Sequence, residues 1–258
     1  MKLDDAILSR TTLLLGENAM KCIEETRVLI FGVGGVGSWC AESLVRSGIR
    51  HLTIVDSDNV CVSNVNRQRM ATVDTIGKVK VEALKNVLLT ILPDAEIEIR
   101  QEVYCESTAD KFNFDEYDYI IDAIDSLKDK ILLIENATRS KAKFFSSMGA
   151  ALKIDPTKIK VAEFWDVIGC PLARALRQRF KKLKRRPYKK FKCVYSEELL
   201  ENKGSMEDIT YASEEASLPL HSERDAAKSR VNGSIMHITA IFGLTLAGLV
   251  IKDIYEKQ

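Results

Sequence analysis

The feature that most constrains this chain is Val28-Leu29-Ile30-Phe31 running directly into Gly32-Val33-Gly34-Gly35-Val36-Gly37. Four consecutive apolar residues without polar alternation read as a strand buried on both faces, the habit of a parallel sheet. The glycines Gly32, Gly34, Gly35 and Gly37 then form a G-x-G-G-x-G turn that feeds a helix. Such a turn lets backbone approach a ligand closely and aims free helix N–H groups at a phosphate. Parallel strands need crossover helices, so the expected class is α/β: Rossmann-like, doubly wound, with a mainly parallel sheet.

From residue 27 to residue 150 the pattern fits that class, alternating short apolar strands with amphipathic helices. A helix from Val36 to Arg46 stops at Gly48, and a strand follows from His51 to Val55. Gly77 to Ile91 reads as a helix halted by Pro93; Ala95–Gln101, Tyr117–Ile121 and Lys143–Ser147 read as further strands. After Gly149 the pattern changes. Residues 151–154, a turn at Asp155-Pro156-Thr157, and residues 158–165 predict an antiparallel hairpin with no more crossovers. This antiparallel extension, a basic segment, a polar loop and a C-terminal helix make up 151–258, beside a nucleotide-binding core at 27–150.

Net charge is only +1 over 258 residues, so the distribution of charge carries the information. Eleven lysines and arginines fall between Arg174 and Lys192 with no acid among them, a run that seeks polyanions when it is not simply a solvated helix face and loop. Residues 196–230 are polar and weakly periodic, the pattern of a loop. Residues 235–251 are apolar at the lower length limit of a membrane span. The favoured reading is a buried helix across the sheet with no stable membrane insertion, against a membrane association through 235–251. The six cysteines include no C-x-x-C pair, which speaks against a zinc ribbon and a dithiol redox motif and for a reducing cytoplasm.

An acidic residue after the second strand, Asp56, sits where a carboxylate binds ribose, so a nicotinamide dehydrogenase is the first reading. The next residues oppose it. Asp56-Ser57-Asp58 leads to Ser63-Asn64-Val65-Asn66-Arg67-Gln68, then Gly77-Lys78-Val79-Lys80, then Asp122-Ala123-Ile124-Asp125. Amides and a guanidinium beside a phosphate site suit a triphosphate, and a carboxylate at a later strand end can hold Mg²⁺ against it. Asn64 and Asn66 also have plain structural readings as loop caps, Gly37 as a helix–strand spacer and Asp122 as an orienting carboxylate.

This order of motifs resembles the adenylating superfamily of ubiquitin-activating enzymes and the adenylyltransferases of molybdopterin and thiazole synthesis. The resemblance covers about Arg10 to Ser147. It implies ATP over the glycine turn, with ribose on Asp56 and with Asp58 in the same binding set. It places Asn64, Arg67, Gln68 and Lys80 on the phosphates and Mg²⁺ on Asp125. It also implies that Arg10 reaches the partner subunit's triphosphate, which requires a homodimer, and that 1–258 forms a single adenylating-enzyme domain.

Further segments, including Leu15-Gly16-Glu17, Asp166 to Arg179 and Asn232-Gly233-Ser234, are similar to the branch of tRNA threonylcarbamoyladenosine dehydratases. That branch implies ATP-dependent cyclisation of the threonylcarbamoyl group through an acyl adenylate. Segment 174–192 would then meet the anticodon arm of tRNA, with Phe180, Tyr188 and Phe191 either stacking on bases or packing against the domain. Two readings stand beside it. One is an adenylyltransferase for a ubiquitin-like sulfur carrier, with Cys170 or Cys193 as acceptor thiol; the other is a nucleotide-gated adaptor for a sulfur-transfer protein.

Overall fold

The computed structural model describes residues 6–204 and 232–258. Seven strands form one sheet: β1 (Arg27–Phe31), β2 (His51–Val55), β3 (Glu96–Arg100), β4 (Tyr119–Asp122), β5 (Lys143–Ser147), β6 (Ile159–Glu163) and β7 (Lys192–Ser196). Their order is β3-β2-β1-β4-β5-β7-β6. All neighbours are parallel except β6 and β7. The described helices are α1 (Ser9–Leu15), α2 (Glu17–Glu25), α3 (Gly37–Arg46), α4 (Lys80–Leu89), α5 (Leu127–Arg139), α6 (Pro171–Lys182) and α7 (Met236–Tyr255).

Alternation along β1 divides the core. Val28 and Ile30 face one apolar cluster with residues of α2, α3, α4 and α7, and Leu29 and Phe31 face a second with residues of α5 and α6. The chain leaves β1 toward β2 and β3, then returns to β4 on the other side. This reversal opens a crevice at the carboxyl ends of β1 and β4, where ligands bind in open α/β sheets. Register aligns those ends, with Phe31 opposite both Val55 and Asp122.

Two expectations about the second half are corrected. Residues 151–154 form no strand: Leu152 N–H goes to Gly233 O at 2.9 Å and its carbonyl accepts from Leu200 N–H at 2.9 Å. The antiparallel partner of β6 is β7, on the far side of α6, and β7 pairs parallel with β5, so crossovers continue past Gly149. β7 starts on the last lysine of the basic run and offers only Cys193, Val194 and Tyr195 as apolar positions, too few to declare a strand. The predicted turn does form, with Asp155 Oδ1 accepting from Thr157 N–H at 2.9 Å. The helix expected from Gly77 starts at Lys80, because Gly77 (φ +86°) and Val79, bridged to Asn59, belong to the preceding turn.

α7 is long and apolar enough to cross a membrane by length and composition. Here it packs on α3, and Ile238, Phe242, Leu246, Val250 and Ile254 form its buried stripe. A Cβ on Gly243 would collide with Val36 O, so that glycine sets how closely the two helices approach. Of the polar loop predicted over 196–230, residues 205–230 lie outside the described residues.

Candidate active site

A cavity of about 1120 Å³ opens at the carboxyl edge of the sheet. Gly32, Gly34, Gly35, Asp56, Asp58, Arg67, Gln68, Lys80 and Asp125 all line it. Motifs spread over nearly a hundred residues of sequence therefore share one wall, because β1, β2 and β4 end side by side. A second hollow of about 1060 Å³, lined by Lys141, Lys192 and Lys252 among others, lies at the opposite edge. It has no glycine turn, and its strand-end carboxylate, Glu163, comes from the antiparallel β6 rather than from a parallel strand, so the candidate site is the larger cavity at the carboxyl edge of the parallel strands.

The turn needs its glycines for two distinct reasons. Gly32 has φ +83°, and a Cβ there would lie 2.8 Å from Ala123 O. A Cβ on Gly37 would fall on Gly32 O, so Gly37 starts α3 against the turn itself rather than lining the cavity.

Asp56 braces the turn: one carboxylate oxygen accepts from Val33 N–H at 2.9 Å and the other from Asp58 N–H at 3.0 Å. Lone pairs remain on both oxygens for a ribose. Burial raises its pKa, with the Lys80 charge pulling it back. Lys80, only 4% exposed, is itself held by Asp58 Oδ2 at 3.0 Å.

The 63–69 loop is docked on α3 by residues that sequence reading missed. Trp39 Nε1 donates to Arg67 O at 2.9 Å, Ser38 Oγ accepts from Arg69 N–H at 3.1 Å, and Glu42 pairs with Arg69. Arg67 donates to Ser63 O and Asn66 Oδ1, with its side chain facing the cavity. Gln68 Oε1 is buried without a hydrogen-bond partner among the described residues, an acceptor that a ligand's donor or water would satisfy. Asn64 is placed differently from expectation: it is buried outside the cavity lining, and its side-chain oxygen accepts from Cys61 N–H at 3.1 Å. It shapes the loop.

Asp125 is exposed to the cavity, and Asp129, unnoticed in sequence, lines it one helical turn later. Among the described residues no cluster of three His, Cys, Asp or Glu side chains forms a metal cage. A pair of carboxylates fits a hard ion that keeps waters and takes its remaining ligands from phosphates.

The ThiF family matches residues 8–257. This chain belongs to the ThiF family. Within that family it is 33% identical to the tRNA threonylcarbamoyladenosine dehydratase of Escherichia coli K12, over 96% of this chain and 92% of that protein. It is 37% identical to the Bacillus subtilis enzyme of the same name, over 67% and 68% of the two chains. The structure of the Escherichia coli dehydratase in complex with ATP superposes with a TM-score of 0.82 at 30% identity, covering 98% of this chain and 95% of that one.

The remaining site expectations sort by burial. Cys170 and Cys193 are both buried, and burial raises the Cys193 pKa well above its ordinary value, which removes its nucleophilic form. Of the two readings of the aromatics, Phe180 and Phe191 follow packing, as core residues of the second cluster that cannot stack on bases; Tyr188 is exposed, beneath the Arg139 guanidinium. Arg10 is exposed on α1 and is not brought to the cavity within one chain. In the basic segment Arg177, Arg185 and Lys189 bind Phe164 O, Glu135 and Ser140 O. Arg174, Arg179, Lys181, Lys182 and Lys184 are exposed.

Proposed function

We propose that this ThiF-family chain catalyses ATP-dependent dehydration of the threonylcarbamoyl group of threonylcarbamoyladenosine in tRNA, through an acyl adenylate. The observation that carries this reading is the convergence of Arg67, Gln68, Lys80 and Asp125 on the glycine turn at the sheet's switch point. A nicotinamide would leave that charge unused.

In this reading the glycine turn and the N-terminus of α3 receive the triphosphate, and Asp56 takes the ribose. Arg67 and Lys80 face the phosphates, where positive charge stabilises the pentavalent transition state and the departing pyrophosphate. Asp125, with Asp129 beside it, would hold Mg²⁺, which when bound neutralises phosphate charge. The substrate's carboxylate oxygen bonds to the α-phosphorus as the bridge to the β-phosphate breaks. An atom of the same side chain then attacks the activated carbonyl carbon, and AMP leaves with the former carboxylate oxygen. One water is lost in total. Because the second attack is intramolecular, proximity drives it and no protein nucleophile is required, consistent with the burial of Cys170 and Cys193.

The tRNA surface in this reading is segment 174–192. Leu172, near the start of α6, lines the cavity, and the helix extends from it by about 15 Å, carrying outward-facing Arg174, Arg179, Lys181 and Lys182. We place the working form as a cytoplasmic homodimer in which Arg10 completes the partner's site. Leu13 and Leu14, 88% and 80% exposed on the same short helix, give that dimer an apolar contact.

The direct test incubates the protein with Mg-ATP and tRNA carrying threonylcarbamoyladenosine, then weighs the digested nucleosides. Loss of one water with release of AMP and pyrophosphate is expected. An unchanged nucleoside from protein that binds ATP would overturn the reading in favour of sulfur-carrier adenylation.

A further inference from the structure

Beneath the Asp125 loop lies a salt bridge with no solvent exposure at all. Lys130 on α5 and Asp122 at the end of β4 are both 0% exposed, with Lys130 Nζ 2.8 Å from Asp122 Oδ2. Ser146 Oγ on β5 donates to the same oxygen at 2.7 Å. Burying two charges is costly, and apolar side chains of similar volume often hold two elements together at least as well. Stability alone therefore does not account for the pair.

Its remaining bonds do. Asp122 Oδ1 accepts from Ile124 N–H at 3.1 Å, and Lys130 Nζ donates to Ile124 O at 2.8 Å. The ion pair thus grips the N–H and the carbonyl of the single residue that precedes Asp125. On the other side, Ala123 N–H donates to Phe31 O at 2.8 Å, and Ala123 O packs so closely on Gly32 that a Cβ there would approach it to 2.8 Å. Residues 123 and 124 are wedged between the glycine turn above and the charge pair below. Asp125 emerges from that wedge into the cavity.

We infer that Asp122 and Lys130 form a positioning clamp, which fixes the Asp125 carboxylate relative to the glycine turn through the backbone of Ile124. Neither residue touches substrate. The inference rests on the reading of Asp125 as the carboxylate that would hold Mg²⁺. An apolar contact could anchor α5 to β4, but it could not hold both the N–H and the carbonyl of one residue.

The test is the double variant Lys130→Met/Asp122→Asn, which removes both charges and leaves neither uncompensated. In the nucleotide-free and metal-free protein, amide hydrogen exchange at Ile124 should accelerate by about tenfold or more while the β1 and β2 amides stay protected. Calorimetric ATP affinity without Mg²⁺ should stay within about threefold of wild type, whereas kcat for AMP formation falls by about tenfold or more. The half-saturating Mg²⁺ concentration should rise, with excess Mg²⁺ restoring part of the rate. Unchanged exchange at Ile124, or faster exchange with wild-type kcat and Mg²⁺ dependence, would overturn the clamp.

Should the double variant not fold, Ser146→Ala decides. It removes one bond to Asp122 and should lower kcat by about two- to fivefold at unchanged KM for ATP, with faster Ile124 exchange; wild-type values would overturn the clamp. Asp125→Ala is run alongside. Retention of full adenylation there would reject the Asp125 reading itself, while its loss together with a wild-type clamp variant would reject only the clamp.

Discussion

Lys80 faces the cavity as a nearly buried ammonium whose counter-charge is Asp58 at 3.0 Å. Asp58→Asn would replace its ion-pair partner by a neutral acceptor and leave only the Asp56 charge acting on it, at a cost of about 1–3 kcal/mol, or roughly 2–10 °C in Tm for a chain of this size. Bound triphosphate would return negative charge to the site, so the Tm rise produced by ATP should be larger in the variant than in wild type. A smaller rise would instead put Asp58 on the nucleotide. The residues legible in the sequence are those whose chemistry is visible without partners: glycines in a fixed spacing, acids at strand ends, an arginine among amides. Lys130 was not legible, because a lysine in an amphipathic helix reads as solvated until the carboxylate it meets is known. The available signal was Asp122, since a carboxylate at the end of an apolar central strand demands a buried partner. Asn64 shows the converse, a polar residue inside a phosphate motif that caps the loop carrying Arg67.

The elements read best from sequence are those buried on both faces. β2 and β5 fall on their expected residues, whereas β7 was hidden by the basic run that leads into it and its pairing with β6 spans α6. The two glycines of α7 read alike in sequence but sit in different surroundings. Gly243 meets the α3 backbone, so Gly243→Ala must part the helices and should destabilise by about 3 kcal/mol, the upper end of ordinary overpacking. A Cβ on Gly248 meets nothing within 4 Å, so Gly248→Ala should stabilise by about 0.5–1 kcal/mol through helix propensity. Chemical denaturation of both variants measures the contrast, and equal effects would refute the packing account. At the far end of α7, Asp253 accepts from Tyr119 OH at 2.7 Å and pairs with Lys257 at 2.9 Å and with Lys143. Partial burial opposes its ionisation, but these partners outweigh it and hold its pKa below the ordinary carboxylate value. A depressed pKa contributes stability that is complete above the unfolded value, about 3.9, and fades as pH falls through the lower folded one. The stability gap between wild type and Asp253→Asn should therefore be constant near neutrality and close below about pH 4. A gap that persists unchanged at pH 2 would remove Asp253 from the acid response.

For the whole molecule, one sheet carries the cavity at its carboxyl edge and α6 leads a positive surface away from it, which in the proposed reading would put ATP and tRNA on one face. Reversing Arg174, Arg179, Lys181 and Lys182 together should weaken tRNA binding and flatten its salt dependence, with ATP affinity unchanged. The log–log slope should fall by about 0.7–0.9 for each phosphate that the surface no longer neutralises. An unaltered slope would move the tRNA surface elsewhere. What a single chain cannot display is a site built from two copies, and Arg10 is the residue on which that question turns. It sits exposed on α1 beside Leu13 and Leu14, away from its own cavity. If it serves the partner's triphosphate, Arg10→Ala and Asp125→Ala should each be inactive alone yet complement when mixed. In a mixed dimer the Arg10→Ala subunit supplies a cavity with Asp125 intact, its partner supplies Arg10, and the second cavity lacks both. Random exchange of equal amounts makes half of the dimers mixed, so about a quarter of all sites, and of wild-type activity, should return. Action of Arg10 within its own chain predicts no recovery at any mixing ratio, because every cavity would then lack one residue or the other.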